Sequence, residues 1–295
     1  MNRNGHVEVT DLHLRTSAGA PPGAEVLTLG ALHARAIRNR RGLYAPVRPS
    51  FHHLIAVRSG RLACSVDFAE HTLDAGAWLW VRPGQVLQFR SGLDTADGSV
   101  VLFQPGLLNA ATARAAGVHR PAARTAPLRP GDDDAPRRTL DLLEDEFGRL
   151  GDLPLEAHME VVRHLLSALL LRLTHGRGGV GDDDRGNEPF QRFQQAVERD
   201  FAHSRRVEDY AGQLGYSVRT LTRATRDAAG CGAKHFIDER VLLEARRLLV
   251  HTDFATSAVG ERLGFPEATA FTRFFRTRTG ETPAAFRARY RNADR

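Results

Sequence analysis

The chain has 295 residues, 42% of them apolar, with 41 basic against 35 acidic side chains and a formal charge of +6. That length and composition exclude a disordered tail and leave room for two folded domains. Cys64 and Cys231 are too widely separated for a disulfide framework or a CxxC metal site, residues 1–10 carry no basic and apolar leader, and the longest apolar run, near residues 165–173, is broken by Arg172. A cytoplasmic protein with no membrane partner, no cofactor and no metal is expected.

Residues 50–104 carry short apolar runs, FHHLIAVRSGRLACSVDF, HTLDAGAWLWVRPGQVLQF and GSVVLF, broken at Gly60, Gly76, Pro83-Gly84 and Gly98. Such punctuation predicts antiparallel strands joined by hairpins, closing as a small barrel or sandwich. His52 and His53 are consecutive on one predicted strand and so point to opposite faces, which keeps them from sharing a metal. Trp78 and Trp80 share a face. His52, Trp78 and Trp80 are the candidate effector-binding residues, weighed against a plain role in the core, and Cys64 reads as a small buried hydrophobe.

From residue 135 the apolar period becomes helical, with Leu140, Leu143, Phe147 and Leu150 on one stripe and Met159, Val162, Leu166, Leu169 and Leu173 on a second. The second stripe serves either the domain's own packing or a dimer face. The sequence GDDD occurs at Gly131 and again at Gly181 and is read as solvated charge. The stretch HGRGGVGDDDRGNEP has no apolar period and predicts an exposed linker.

After the linker the charge changes. Residues 190–295 hold 19 basic and 13 acidic side chains, whereas residues 1–189 hold 22 of each, so the whole positive excess lies in the last third. Such asymmetry points to a domain that meets a polyanion. The segment FQRFQQAVERDFAHS opens it with an amphipathic helix on Phe190, Phe193, Val197 and Phe201. Two related units then follow, VEDYAGQLGYSVRTLTRATRDAAG and SAVGERLGFPEATAFTRFFRTRTG, each with a small residue four positions before a Gly-aromatic pair and a later Thr-Arg pair. Each has the form of a helix-turn-helix: Ala211 and Gly260 sit at the close crossing, Gly215 and Gly264 at the turn, Ser217 as an N-cap, and Pro266 with Glu267 at a helix start. Leu221, Ala224 and Ala228 form the buried stripe of one second helix, and Phe271, Phe274 and Phe275 that of the other. Arg219, Thr222, Arg223 and Arg226 remain outward on the first, and Thr269, Thr272, Arg273 and Arg276 on the second. A major groove admits one helix, guanidinium forks pair with guanine and threonine offers a methyl to thymine, so double-stranded DNA is the expected partner. Arg278, Arg287, Arg289 and Arg291 are assigned to phosphates or solvent.

The elements LGF, F-x-R-x-F-R, G-x-TP and the terminal F-R resemble the signature of the AraC/XylS family of bacterial transcription regulators over about the last hundred residues. The resemblance implies two helix-turn-helix subdomains joined by a long helix near residues 234–250. It carries base-contact positions onto Arg219, Thr222 and Arg223, and onto Ala268, Thr269, Thr272 and Arg273. Ala224 and Thr225 stand where the family has large apolar residues, so looser packing of the first unit is expected. Ala268 offers no hydrogen bond, which assigns more of the specificity to the first unit. VRSGRLACSVDFAEHTLDAGAWLWVRPGQVLQF resembles the cupin-like sensory domain of the same family, with Gln88 where metal-binding cupins place a histidine.

The expected fold is α+β: a cupin-like antiparallel β-barrel sensor at 1–130, a helical connector and candidate dimer surface at 131–175, a linker at 176–189 and an all-α DNA-binding domain with two helix-turn-helix units at 190–295. The expected function is a sequence-specific regulator that answers a small-molecule effector and changes contact with RNA polymerase, with a second copy of the chain as a candidate partner. A cupin-type enzyme and an effector-independent architectural DNA binder are the alternatives.

Overall fold

The computed structural model describes residues 9–14, 16, 21–38, 44–118, 125–130, 134–149, 153–175 and 188–290, with the backbone of 291–293. Leu150, the glycine- and aspartate-rich residues 176–187, the side chain of Arg291 and most of the two GDDD clusters lie outside them. Two compact units are present, one formed by Val9–Asp182 and one by Asp183–Arg295. Among the described residues no helix is long and apolar enough to cross a membrane.

The first unit runs β1 (Thr10–Leu12), β2 (Ala24–Thr28), α1 (Leu29–Arg38), β3 (Val47–Pro49), β4 (His52–Val66), β5 (Ala69–Asp74), β6 (Trp78–Val81), β7 (Leu87–Phe89), β8 (Ala96–Phe103), α2 (Ala110–Ala115), α3 (Ala135–Gly148) and α4 (Leu155–His175). The strands form a curled sheet in the order β1-β3-β7-β4-β8-β2, and β5 and β6 also pair with β4. Pairing is antiparallel except for β1 beside β3, which is parallel. A register shift between Val57 and Ser59 divides β4. Its first half pairs with β6 and its second with β5 and β7.

Side chains alternate faces along a strand, and both faces of β4 are covered. Ile55, Val57, Leu62, Cys64 and Val66 enter one core with Leu79, Leu87 and Leu102. Leu54 and Ala56 enter the other with Trp78, Trp80 and Phe103, against Leu140 and Leu143 of α3 and Val162, Leu166, Leu169 and Leu173 of α4. Covering on both sides explains why WLWV and VVLF are apolar without interruption. The stripe on α4 is therefore packed within its own unit.

The second unit runs α5 (Glu188–Asp200), α6 (Val207–Leu214), α7 (Val218–Ala229), α8 (Ala233–His251), α9 (Thr256–Arg262), α10 (Ala268–Thr279) and α11 (Pro283–Ala293). Helix α8 is the scaffold: Ile237, Val241, Leu242, Ala245 and Leu249 are buried along it. Phe193 of α5 packs edge-on to Tyr210 at 5.6 Å between ring centroids, and Phe275 of α10 edge-on to Phe286 of α11 at 5.3 Å. Three details of the sequence reading are corrected. Phe201 lies one residue past α5, half-buried, with the Arg240 guanidinium 3.9 Å above its ring. Ala228 is exposed, because Thr225 takes its place in the buried stripe with Leu221 and Ala224. Phe274 is half-buried beside Phe265 at 5.1 Å rather than in the core with Phe271 and Phe275. Thr225 packs fully despite its hydroxyl, which donates to the Leu221 carbonyl at 2.7 Å and so satisfies itself on its own helix.

Candidate nucleic-acid interface

Two turns aim two helices outward. Gly215 ends α6 and Gly264 follows α9, both at φ +72°, a left-handed conformation that glycine adopts without strain. Gly260 meets another need: a methyl there would lie 2.9 Å from Phe271 Cβ, so only a bare Cα lets α9 and α10 cross this closely. Ser217 caps α7 by accepting from the Thr220 amide at 3.0 Å. Glu267 occupies the same place before α10 without capping it, and Pro266 precedes that cap rather than opening the helix. Both α7 and α10 have 12 residues and end on a left-handed glycine, Gly230 and Gly280.

Leu221, Ala224 and Thr225 bury one face of α7, and Phe271 and Phe275 one face of α10. The opposite faces hold the residues selected from sequence. Arg219, Arg223 and Arg226 are exposed and Thr222 half-buried; Ala268, Thr269, Arg273 and Arg276 are exposed and Thr272 half-buried. The second set lines a groove of about 600 Å³, which Thr277 and Thr282 complete. Those two threonines were missed; Thr277 is signalled by its position one turn beyond Arg273, Thr282 by nothing local.

The arginines of this unit sort into two classes. Arg219, Arg223, Arg226, Arg273 and Arg276 have no hydrogen-bond or ion-pair partner among the described residues. Every other arginine here with a described side chain has a hydrogen-bond or ion-pair partner, except Arg246 and Arg262, whose contact is an aromatic ring. Arg240 bonds Glu198 at 2.8 Å and Arg247 bonds Glu244 at 3.1 Å. Arg205 donates to the Gly264 carbonyl at 3.1 Å and lies 3.6 Å above the Phe265 ring. Arg192, Arg199 and Arg206 meet acids, and Arg246 and Arg262 lie over aromatic rings. The expectation that Arg278 and Arg287 face phosphate or solvent is corrected for the same reason, whereas Arg289 is exposed as expected. Arg278 pairs with Asp238, a 1%-exposed carboxylate on α8 that Lys234 also reaches at 2.5 Å. Arg287 donates to the Leu249 and Phe254 carbonyls at 2.9 and 2.6 Å, and Arg289 pairs with Glu281 at 2.6 Å.

In the first unit, His52 and Trp80 come together. The Trp80 indole N–H donates to His52 Nδ1 at 3.2 Å, and the His52 ring stacks on Phe103 at 4.5 Å. Arg82 covers the outer Trp80 face at 4.1 Å. Both side chains are thus spent on the layer between sheet and helices. Trp78 differs: with Ala56, Leu140, Arg58 and Arg137 it lines a cavity of about 310 Å³, near the lower end of the ~300–1,000 Å³ of small-molecule sites. His53 points to the opposite core, stacked on Phe51 at 4.7 Å. Burial pushes its pKa down to about 4, partly countered by a backbone hydrogen bond at Phe51. Burial also pushes the Cys64 thiol up to about 12, which keeps it protonated and inert. Gln88 donates to the Tyr44 carbonyl at 2.8 Å. Among the described residues no group of three His, Cys, Asp or Glu side chains is placed to hold a metal ion.

Residues 210–289 match the family model of a helix-turn-helix domain, and residues 32–174 that of the AraC-like ligand-binding domain. The chain belongs to the AraC/XylS family of transcription regulators. Among curated relatives of this AraC-type chain is the HTH-type transcriptional activator RhaS of Salmonella schwarzengrund (strain CVM19633), 28% identical over 150 residues, 51% of this chain and 52% of that protein. The chain spans about half the length of the curated relatives it matches. Similar solved structures include the DNA-binding domain of AdpA in complex with a target DNA, 30% identical over 36% of this chain and 95% of that one, with a TM-score of 0.34. ToxT from Vibrio cholerae is 10% identical over 90% of this chain and 97% of its own, with a TM-score of 0.43.

Proposed function

We propose that this AraC/XylS-family chain is a sequence-specific, double-stranded DNA-binding transcription regulator in which α7 and α10 enter the major groove. The observation that carries the reading is the sorting of arginines: among the described side chains of the second unit, the guanidiniums with neither a hydrogen bond, an ion pair nor a ring contact are those on the outer faces of these two helices. Leaving five cations unpaired on so small a surface repels them from one another, and a polyanion relieves that repulsion. Arg219, Arg223 and Arg273 are assigned to base edges with Thr222, Thr269 and Thr272 beside them, Arg226 and Arg276 to the groove or its phosphates, and Ala268 to a thymine methyl.

Residues 1–130 are the sensor, 131–175 the helical connector, 176–189 the linker and 190–295 the DNA-binding domain. A small-molecule effector binds the sensor and changes how the DNA-binding domain is presented, and so its contact with RNA polymerase. Trp78 is retained as an effector-facing residue because it lines a cavity, whereas His52 and Trp80 act by packing beside it. A homodimer has to use a surface other than the α4 stripe, which is already covered. The protein acts in the cytoplasm, without catalysis or cofactor.

The test is selection of bound sequences from a random duplex library by the full chain, followed by salt titration of the best site against scrambled DNA. A bipartite motif bound well above scrambled DNA is expected. Arg223→Ala should then weaken the selected site by about 1–3 kcal/mol and scrambled DNA much less. Equal losses on both would remove Arg223 from base readout.

A further inference from the structure

The two outward helices are not merely alike in kind; they present nearly the same face in the same register. Helix α7 begins at Val218 and ends on Gly230, and α10 begins at Ala268 and ends on Gly280, so equivalent positions differ by 50 in number throughout. The preceding turn is one residue longer in the second unit, since Gly264 stands 49 after Gly215, yet the caps restore the register before either helix starts. At 100° per residue, Val218, Thr222, Arg226, Arg219 and Arg223 fall in that order across an arc of about 140°. Ala268, Thr272, Arg276, Thr269 and Arg273 fall across the same arc of α10.

Three of the five positions are identical: Thr222 with Thr272, Arg223 with Arg273, and Arg226 with Arg276. Their environments match as well, both threonines being half-buried and all four arginines exposed. The two that differ lie at the N-terminal end, where a helix in the groove comes nearest the bases: Val218-Arg219 against Ala268-Thr269. Val218 is 39% exposed, although a β-branched aliphatic at the edge of a core would ordinarily be covered. It was not among the residues selected from sequence, and its equivalence to Ala268 is the signal that finds it.

Resting on the base-reading assignment made above, we infer that the two half-sites of the operator share one core sequence and differ at one flank. The shared core is read by the Thr-Arg pair on each helix, with the arginine three positions on, Arg226 or Arg276, holding the adjoining backbone, in whichever direction each helix lies along the DNA. The differing flank is read by Val218 and Arg219 in one half-site, as a thymine methyl beside a guanine, and by Ala268 and Thr269 in the other. A guanidinium fork takes guanine O6 and N7 together, while a threonine in its place offers a methyl and one hydroxyl. The flank of the first half-site is consequently the more strictly specified.

The experiment is selection from a random duplex library with the full chain and with the double variant Val218→Ala, Arg219→Thr, which makes the outer face of α7 the same as that of α10 at all five positions. Both side chains are exposed, and unchanged far-ultraviolet circular dichroism will show that the variant is folded. For the parent chain the expected motif is bipartite with a common core. For the variant, the preference for a duplex carrying the second half-site twice, relative to the parent operator, should rise by at least about fivefold, the lower end of the ~5- to 150-fold that one bidentate base contact supplies. The reciprocal pair Ala268→Val, Thr269→Arg should shift preference toward the first half-site twice. A bipartite motif with unrelated cores, or a double variant with unchanged preference, would overturn this inference while leaving base reading intact. Recovery of no motif by the parent chain would overturn the base-reading assignment and this inference together.

Discussion

The duplicated turns allow a backbone cost to be separated from a steric one. Gly215 and Gly264 share the same φ of +72°, but their surroundings differ: a methyl at Gly215 would meet nothing within 4 Å, whereas one at Gly264 would lie 2.3 Å from the Ala202 carbonyl oxygen. Alanine in the left-handed region costs about 1–2 kcal/mol, offset by roughly 0.4–1 kcal/mol from the stiffer unfolded chain. Gly215→Ala should therefore destabilise by about 1 kcal/mol. Gly264→Ala carries the same term plus overpacking of about 1–3 kcal/mol. The connection that carries Ala202 is tied to the second turn through Arg205, which donates to the Gly264 carbonyl at 3.1 Å and covers Phe265 at 3.6 Å. The assay is urea denaturation followed in the far ultraviolet, where the helices of the second unit dominate. Trp78 and Trp80, the chain's two tryptophans, both lie in the first unit, so their fluorescence transition serves as an internal control and should not move. Equal losses for the two variants would show that the 201–206 connection yields freely and that the reasoning from close contact is wrong.

Ser217→Ala should cost the second unit about 1 kcal/mol, the value of a capping hydroxyl, measured in the same denaturation. His53 binds a proton far more weakly folded, at about 4, than at its ordinary 6.5, so the unfolded state takes up the proton first as pH falls. The resulting stability is fully present above pH 6.5 and is lost toward pH 4, about 2 kcal/mol of it by pH 5; tryptophan-monitored urea curves across that range should show the slope, and His53→Leu should flatten it. With five guanidiniums unpartnered on α7 and α10 among the described residues, those five alone should give a slope of log K against log salt on scrambled DNA of about −4.5. Arg226→Ala or Arg276→Ala should reduce that slope by about 1, and Arg287→Ala, whose guanidinium bonds two carbonyls, should leave it nearly unchanged.

What the sequence showed directly was local. Gly215 and Gly264, the Ser217 cap and the apolar period of α7 and α10 are each specified within a few residues, and a repeat makes each signal twice. Period alone, however, says which face of an element is apolar and not what covers it. The α4 stripe read equally well as a dimer surface until its partner, the sheet face carrying Leu54 and Ala56, was known. The pairing of His52 with Trp80 depends on the β4–β6 register, which sets Leu54 opposite Trp80, and no turn signal encodes it. Phe274 and Ala228 were misplaced for the same reason: each lies at the margin of a buried stripe, where the neighbouring helix decides exposure. The roles of Arg278 and Arg287 were illegible because their partners, Asp238 and the Leu249 carbonyl, lie about forty residues away in sequence.

That last failure bears on how a basic surface is made. Residues 190–295 carry six more basic than acidic side chains, a modest excess if spread evenly over a domain of that size. It is not spread evenly. Glu198, Glu244, Asp238 and Glu281 each hold an arginine or lysine of the scaffold, and rings such as Phe265 and Phe254 lie beneath others. A paired charge contributes little net field, whereas an unpaired one acts out to about a Debye length. Pairing scaffold arginines with carboxylates thus leaves the largest group of unpaired guanidiniums among the described residues of this unit on α7 and α10. The same arrangement protects the fold: because arginine does not deprotonate at physiological pH, a guanidinium tie such as Arg278 to Asp238 holds α10 on α8 whether or not the outer face is occupied. Arginine serves here in two opposed ways, and the location of the carboxylates, carbonyls and rings distinguishes them.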